Sequence, residues 1–242
     1  MAIDGWLLQQ RQATLRLYRW QRPCLSLGRH QHRLKGSWIA LAQQGHLELV
    51  RRPSGGQAVL HGGDLTYALV WPDAPGNRQL AYRLACQWLQ HAFASLGQPL
   101  HFGQQPAGLT SSSCFASSTA ADLVHQNGMK RIGSAQLWQG GCLMQHGSIQ
   151  LEPNPALWSE LFGQSPAPLQ PLGVSEQKLE DALLASAEVH LPMAGGLKRQ
   201  PLVDQEFAQI ASLLSTYRVA VSPGDEDGSG MTSPDATMPR TT

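Results

Sequence analysis

One cysteine, Cys114, stands in the run SSSCF, and one lysine, Lys130, follows after a short stretch, just ahead of Gly133-Ser134-Ala135. A thiol attacks as the thiolate, and a nearby positive charge together with some access favours that form. A loop folded back onto the lysine would make the two a nucleophile and its activator. A loop facing nothing would leave an ordinary surface thiol. The other cysteines, Cys24, Cys86 and Cys142, each lie within an apolar pattern and read as small buried hydrophobes. Their wide spacing, without a CxxC pair, argues against a metal knuckle.

A second group lies in RRPSGGQAVLH, where Arg51 and Arg52 end a strand pattern and Ser54-Gly55-Gly56 follows. Paired glycines let a backbone turn sharply and approach a ligand, and they also serve as a plain turn. The GxxxxGK[ST] spacing of a phosphate-binding loop is absent. Lys130 and Arg131 are neighbours in a strand pattern and should face opposite sides of a sheet. His61 and His146 sit next to glycines, where an imidazole positions substrate, moves a proton, or is simply a satisfied core histidine. The two lack a third ligand for a metal.

The elements that must hold these residues follow from periodicity. TLRLYRW (14–20), CLSLG (24–28), LELVRR (47–52), QAVLH (57–61) and DLTYALVW (64–71) read as strands. Residues 32–44 and 78–96 read as helices, the latter with Leu80, Leu84, Trp88 and Phe93 as its stripe. Residues 103–119 are rich in Gly, Gln, Pro and Ser and form a loop around Cys114. Asn127-Gly128 is a two-residue hairpin signal inside a β-meander that continues through CLMQHGSIQL. Residues 176–190 and 203–217 read as helices, the second with Phe207, Ile210, Leu214 and Tyr217 on one face. MAIDGWLLQQ reads as a short amphipathic helix. The pattern favours an α+β fold with a mixed, largely antiparallel sheet flanked by helices.

Composition narrows the class. The chain has 242 residues, 42% hydrophobic and 14% charged, with a net charge of +1. One large domain is expected over residues 1–217, helical from about 170, with a disordered tail over 218–242 whose sequence loses apolar periodicity from about Ser222. The charge balance gives no pull toward nucleic acid. Asp4 interrupts the only apolar run near the start, so neither a signal peptide nor a membrane span is expected, and a cytoplasmic protein with reduced thiols is. A local basic run, Arg29, His30, His32, Arg33 and Lys35, then Arg51 and Arg52, is either a solvated face or a docking patch for an acidic partner or a phosphate.

Taken together, RRPSGGQAVLHGGDLTYALV and GMKRIGSAQLWQGGCLMQHGSIQL, with LRLYRWQRPCLSLGRHQ before them, resemble the lipoate/octanoate attachment family of the biotin/lipoate protein ligase superfamily. The resemblance covers roughly residues 1–152. Cys114-Phe115 ahead of Lys-x-x-Gly-Ser-Ala, together with His61-Gly-Gly-Asp64 and Gln145-His146-Gly-Ser, is closer to the octanoyltransferase branch than to the ATP-dependent ligases. It implies Cys114 and Lys130 as catalytic residues. It also implies Arg52, Ser54, Gly55, Gly56, His61, Gly133, Ser134, Ala135, His146 and Gly147 as substrate-binding residues. The implied reaction moves octanoate from acyl carrier protein, through a thioester on Cys114, to a lysine of a lipoyl domain. Lys130 would favour the thiolate and take the amine's proton, and no cofactor would be needed. The alternatives are an ATP- and Mg-dependent lipoate ligase, an amidotransferase between lipoyl domains, and a catalytically silent carrier-binding protein. Ala121 before Asp122, and Gln57, depart from the family's usual residues.

Overall fold

In the computed structural model the described residues are 1–103, 121–191 and 196–221. The chain runs α1 (Ala2–Gln10), β1 (Thr14–Tyr18), β2 (Cys24–Leu27), α2 (Gly36–Gln43), β3 (Glu48–Arg51), β4 (Val59–His61) and β5 (Asp64–Trp71). It continues through α3 (Arg78–Ser95), β6 (His101–Phe102), β7 (Leu123–Val124), β8 (Lys130–Gln139) and β9 (Cys142–Gln150). Four helices follow: α4 (Pro155–Phe162), α5 (Glu176–His190), α6 (Asp204–Ser212) and α7 (Leu214–Tyr217).

Two sheets result. The larger has the order β1-β5-β9-β8-β7-β6 and the smaller the order β3-β2-β4. Every pair in the larger sheet is antiparallel, while β2 and β3 form a parallel pair in the smaller. The fold is therefore α+β with mixed, largely antiparallel pairing, as expected, but the parallel pair sits in a sheet of its own. Central β5 is buried at all eight positions, which requires cover on both faces.

One face carries Leu65, Tyr67, Leu69 and Trp71 with Ile132, Leu143 and Ile149, packed against α3 and α5. The α3 contact is made by Ala81, Ala85, Trp88, Leu89, Ala92 and Phe93. Full burial of a residue such as Leu89 or Phe93 contributes about 1.5–3 kcal/mol relative to leaving it exposed. Alternation sends the next residues to the opposite face. There the register divides. Val70, Met144 and Cys142 pack on Leu8 of α1, whereas Asp64, Thr66, His146 and Ser148 at the other end of the same strands are buried and polar. The smaller sheet, with α2 and α4, has its own core around Leu25, Leu27, Trp38 and Trp158.

Several expectations are corrected. The helix expected over 32–44 begins only at Gly36, because the basic segment before it has no apolar stripe to bury. The helix expected over 203–217 breaks at Leu213 into α6 and α7. Of its expected apolar face only Ile210 is buried; Phe207 and Leu214 are 51% and 56% exposed. Leu80, placed on the α3 stripe, is 47% exposed in the first turn. The hairpin at Asn127-Gly128 closes between His125 and Met129, with His125 N–H donating to Met129 O and Gly128 N–H to His125 O. Its loop therefore has three residues, not two. Arg218, assigned to the tail, bridges Val50, and Val219 N–H donates to Leu49 O. Helix α4 and strand β6 were not expected. Among the described residues no helix is long and apolar enough to cross a membrane.

Candidate active site

The polar end of that second face borders a cavity of about 270 Å³ between the two sheets, at the small end of small-molecule sites. From the smaller sheet and its loop come Arg52, Gly55, Gly56, Val59 and His61; from the larger come Lys130, Gly133, Ser134, Ala135, His146 and Gly147. Ser54 reaches the same wall through His146. All of the expected substrate-binding residues are thus brought together, along with Lys130. Cys114 lies outside the described residues.

Lys130 Nζ pairs with Asp122 Oδ1 at 2.9 Å, and both side chains are buried, 7% and 6% exposed. Asp122 also borders the cavity. Lys130 and Arg131 do diverge. Arg131 is fully buried, its Nε donating to His125 Nε2 (3.0 Å) and its guanidinium to Gln150 O (2.7 Å) and Gln170 O. Burial lowers Arg131 to about 10, and burial beside that guanidinium lowers His125 to about 4. A neutral His125 is the form that can accept the Arg131 N–H.

The loop after β3 owes its shape to Arg52. Its guanidinium donates to Ser26 O (2.7 Å), Gly55 O (2.9 Å) and Gln57 O (2.6 Å). This fork folds the Ser54-Gly55-Gly56 segment against the sheet, with Gly56 at φ 95°, a region that favours glycine. The neighbouring Arg51 donates to Gln31 O at 2.5 Å. Of the basic run, Arg29, His30, His32, Arg33 and Lys35 are exposed. Ser54 Oγ and His146 Nε2 share a hydrogen bond of 2.5 Å. Burial pushes His146 down to about 4, with Asp4 opposing and Arg52 and His61 adding to the fall.

His61 belongs to a second network. Its Nδ1–H donates to Asp64 Oδ2 at 2.8 Å. The same carboxylate accepts from Ser148 Oγ (2.6 Å), Thr66 Oγ1 (3.0 Å) and, at Oδ1, the Gly62 N–H (3.1 Å). Burial alone would raise this carboxyl; His61 and these donors hold it below the ordinary carboxylate range. Trp20 stacks on the His61 ring, centroids 4.6 Å apart, and its Nε1 donates to Thr66 Oγ1 at 2.9 Å.

Gly147 is explained by crowding. A Cβ there would lie 2.5 Å from Tyr67 Cε1, 2.7 Å from Gly133 O and 2.7 Å from Ser134 Oγ. The Tyr67 hydroxyl meanwhile hydrogen-bonds Ser134 Oγ at 2.7 Å and accepts from Gln145 Nε2 at 3.1 Å.

Sequence reasoning missed Asp64, Thr66, Ser148 and Trp20 as site residues. The signal was present: polar residues at alternate positions 64 and 66 of an otherwise apolar strand share one face. Cys24, Cys86 and Cys142 are fully buried, as expected. Burial raises all three thiols, Cys86 to about 12. No group of three His, Cys, Asp or Glu side chains among the described residues could hold a metal.

Comparison with known proteins gives three kinds of match. The lipoyl protein ligase A/B catalytic domain model matches residues 1–172. Octanoyltransferase LipM of Kyrpidia tusciae is 39% identical over 154 residues, 59% of this chain and 56% of that protein. LipM of Oceanobacillus iheyensis is 34% identical over 201 residues, 78% of this chain and 72% of that protein. The chain spans about three fifths of the length of the first relatives it matches. Among solved structures, protein Ta0514 of T. acidophilum with bound lipoic acid has TM-score 0.72 at 18% identity, covering 89% of this chain and 88% of that one. Lipoate-protein ligase A bound with ATP has TM-score 0.70 at 18% identity, with 88% and 87% covered. These two likenesses establish the fold.

Proposed function

The chain belongs to the lipoyl protein ligase A/B catalytic domain family, and on that premise we propose that it is a cytoplasmic octanoyltransferase. It takes octanoate from acyl carrier protein onto Cys114 and passes it to the lysine of a lipoyl domain. The observation that carries this reading is Lys130, ion-paired with Asp122 in the cavity wall. It stands where the chain returns from the segment containing Cys114: Gly103 N–H donates to Asp122 O, so that segment leaves and re-enters beside the lysine. The named activity of the LipM relatives supports it further.

In this reading Cys114 is the nucleophile, because the thiols of Cys24, Cys86 and Cys142 are buried and raised. The ammonium of Lys130 favours the Cys114 thiolate. The thiolate attacks the octanoyl thioester carbonyl; the C–S bond to the donor's pantetheine breaks, and that sulfur leaves with the electron pair and takes a proton. Backbone N–H groups of Gly55-Gly56 or Gly133-Ser134 are the proposed donors to the oxyanion. Each CH₂ of the acyl chain buried contributes about 0.8 kcal/mol. Attack by the acceptor amine then exchanges a thioester for an amide, a downhill step that needs no ATP.

The test is intact mass after mixing the protein with octanoyl-acyl carrier protein in the absence of ATP, beside Cys114→Ser. The expected result is a hydroxylamine-labile gain of one octanoyl group that the variant lacks. Labelling only with ATP and free octanoate or lipoate would instead make the chain a ligase. Labelling only from an octanoylated lipoyl domain would make it an amidotransferase.

A further inference from the structure

We propose that His61, held by Asp64, is the group that accepts the proton of the attacking lysine amine. His61 is thus a catalytic residue separate from Lys130, and the proposal rests on the octanoyl-transfer reading above. The geometry is that of a fixed base. Asp64 takes up Nδ1, and Ser148, Thr66 and Gly62 lock the carboxylate in turn. Trp20 lies flat against the ring and is itself pinned to Thr66, so the imidazole cannot swing. The ring borders the cavity, and its Nε2 has no hydrogen-bond partner among the described residues. An imidazole whose Nδ1–H is given to a buried carboxylate presents Nε2 as its lone-pair side.

The other candidates for this proton are engaged elsewhere. Lys130 is paired with Asp122 and acts as a fixed charge. His146 is bound to Ser54, and an imidazole lowered to about 4 is a weak base. The two centres are also apart: Asp64 opposes Gln150, and Ile132 opposes Ile149, so Lys130 begins a strand two positions across the sheet. At about 4.8 Å per strand this is about 10 Å of backbone separation. Both side chains nevertheless border the one cavity, so a single thioester carbonyl there can carry the thiol on its Lys130 side and meet the incoming amine on its His61 side.

The step balances without a further reactant. The amine nitrogen bonds to the thioester carbonyl carbon, and its surplus proton moves to His61 Nε2, leaving an imidazolium that Asp64 stabilises. The C–S bond breaks with its electron pair going to the Cys114 sulfur. The proton then passes from His61 to that sulfur or to solvent, and the products are an amide and a thiol.

The test separates loading from transfer. Wild-type protein and His61→Gln are loaded from octanoyl-acyl carrier protein, freed of donor, and offered a lipoyl domain or hydroxylamine. Expected for His61→Gln is loading retained to within several-fold and transfer to the lipoyl lysine slowed about a hundred-fold or more. Cleavage by hydroxylamine, which attacks without a base, should stay near the wild-type rate. Asp64→Asn, which leaves the histidine in place, should give the same split and carries the test if the first variant does not fold. Transfer at the wild-type rate in His61→Gln overturns the proposal, as does an equal loss of loading, transfer and hydroxylamine cleavage. A wild-type protein that takes up no octanoyl group refutes the octanoyl-transfer reading instead, and the proposal falls with it.

Discussion

Lowering the pH should weaken this fold well before its carboxylates titrate, and His146 is the reason. An ordinary histidine titrates near 6.5, while His146, 4% exposed and tied to Ser54, is pushed down to about 4 by burial. Between those values the unfolded chain binds a proton that the folded chain refuses. Stability therefore falls as pH drops through that window, and below about 4 both states are protonated and the loss is complete. The gap corresponds to about 3 kcal/mol in full, of which about 2 kcal/mol is lost between pH 7 and pH 5. His125 is lowered in the same direction and adds to the slope. Asp64, held below the ordinary carboxylate value of 3.8, loses its contribution only at lower pH, outside this window. The assay is urea unfolding at pH 7 and pH 5 for the wild type and for His146→Gln. The wild type should lose about 2 kcal/mol more than the variant over that interval. Equal losses in the two proteins would refute the reasoning, because the titration would then not reside at His146.

Two further outcomes follow from packing and burial. Gly147→Ala drives a methyl into Tyr67, Gly133 O and Ser134 at 2.5–2.7 Å. Overpacking of this kind costs about 1–3 kcal/mol and should lower Tm by about 2–12 °C, read by thermal unfolding; an unchanged Tm would mean that β8 and β9 can part at no cost. Iodoacetamide applied to the native protein should add at most one label per chain, at Cys114, since Cys24, Cys86 and Cys142 are fully buried with raised thiols. Peptide mapping that finds rapid labelling of any of those three would contradict their placement.

The long, strongly periodic segments were legible in the sequence: Asp64–Trp71 and Glu176–His190 stand where the pattern put them. Helix Pro155–Phe162 was missed although its caps are written out. Asn154 accepts from Leu157 N–H, Pro155 begins the first turn, and Gly163 ends the last; with only eight residues the apolar stripe is too short to register by period alone. The Phe207 face was over-read, because amphipathic spacing states what a helix can bury and not what stands opposite it. In the site, glycines, histidines and Lys130 could be named from the motifs. Arg52 could be named too, but its work on three carbonyls of its own loop and of β2 could not, since a hydrogen bond to a distant backbone leaves no mark in spacing. The His61–Asp64–Ser148 network joins residues from β4, β5 and β9, and only the register of β5 on β9 brings Ser148 within reach of Asp64.

That register also sets the order in which the protein can be made. The cavity is lined from Met1 to Ser148, and its floor exists only when Asp64 has paired with Gln150, far along the chain from it. Such non-local pairing must close long loops before it gains any contact, which makes folding slow. During synthesis α1, the small sheet and α3 leave the ribosome with Asp64, Thr66 and His61 still uncovered. The emergence of β9 is the event that buries them, so the binding site can close only once the chain has been made as far as Gln150.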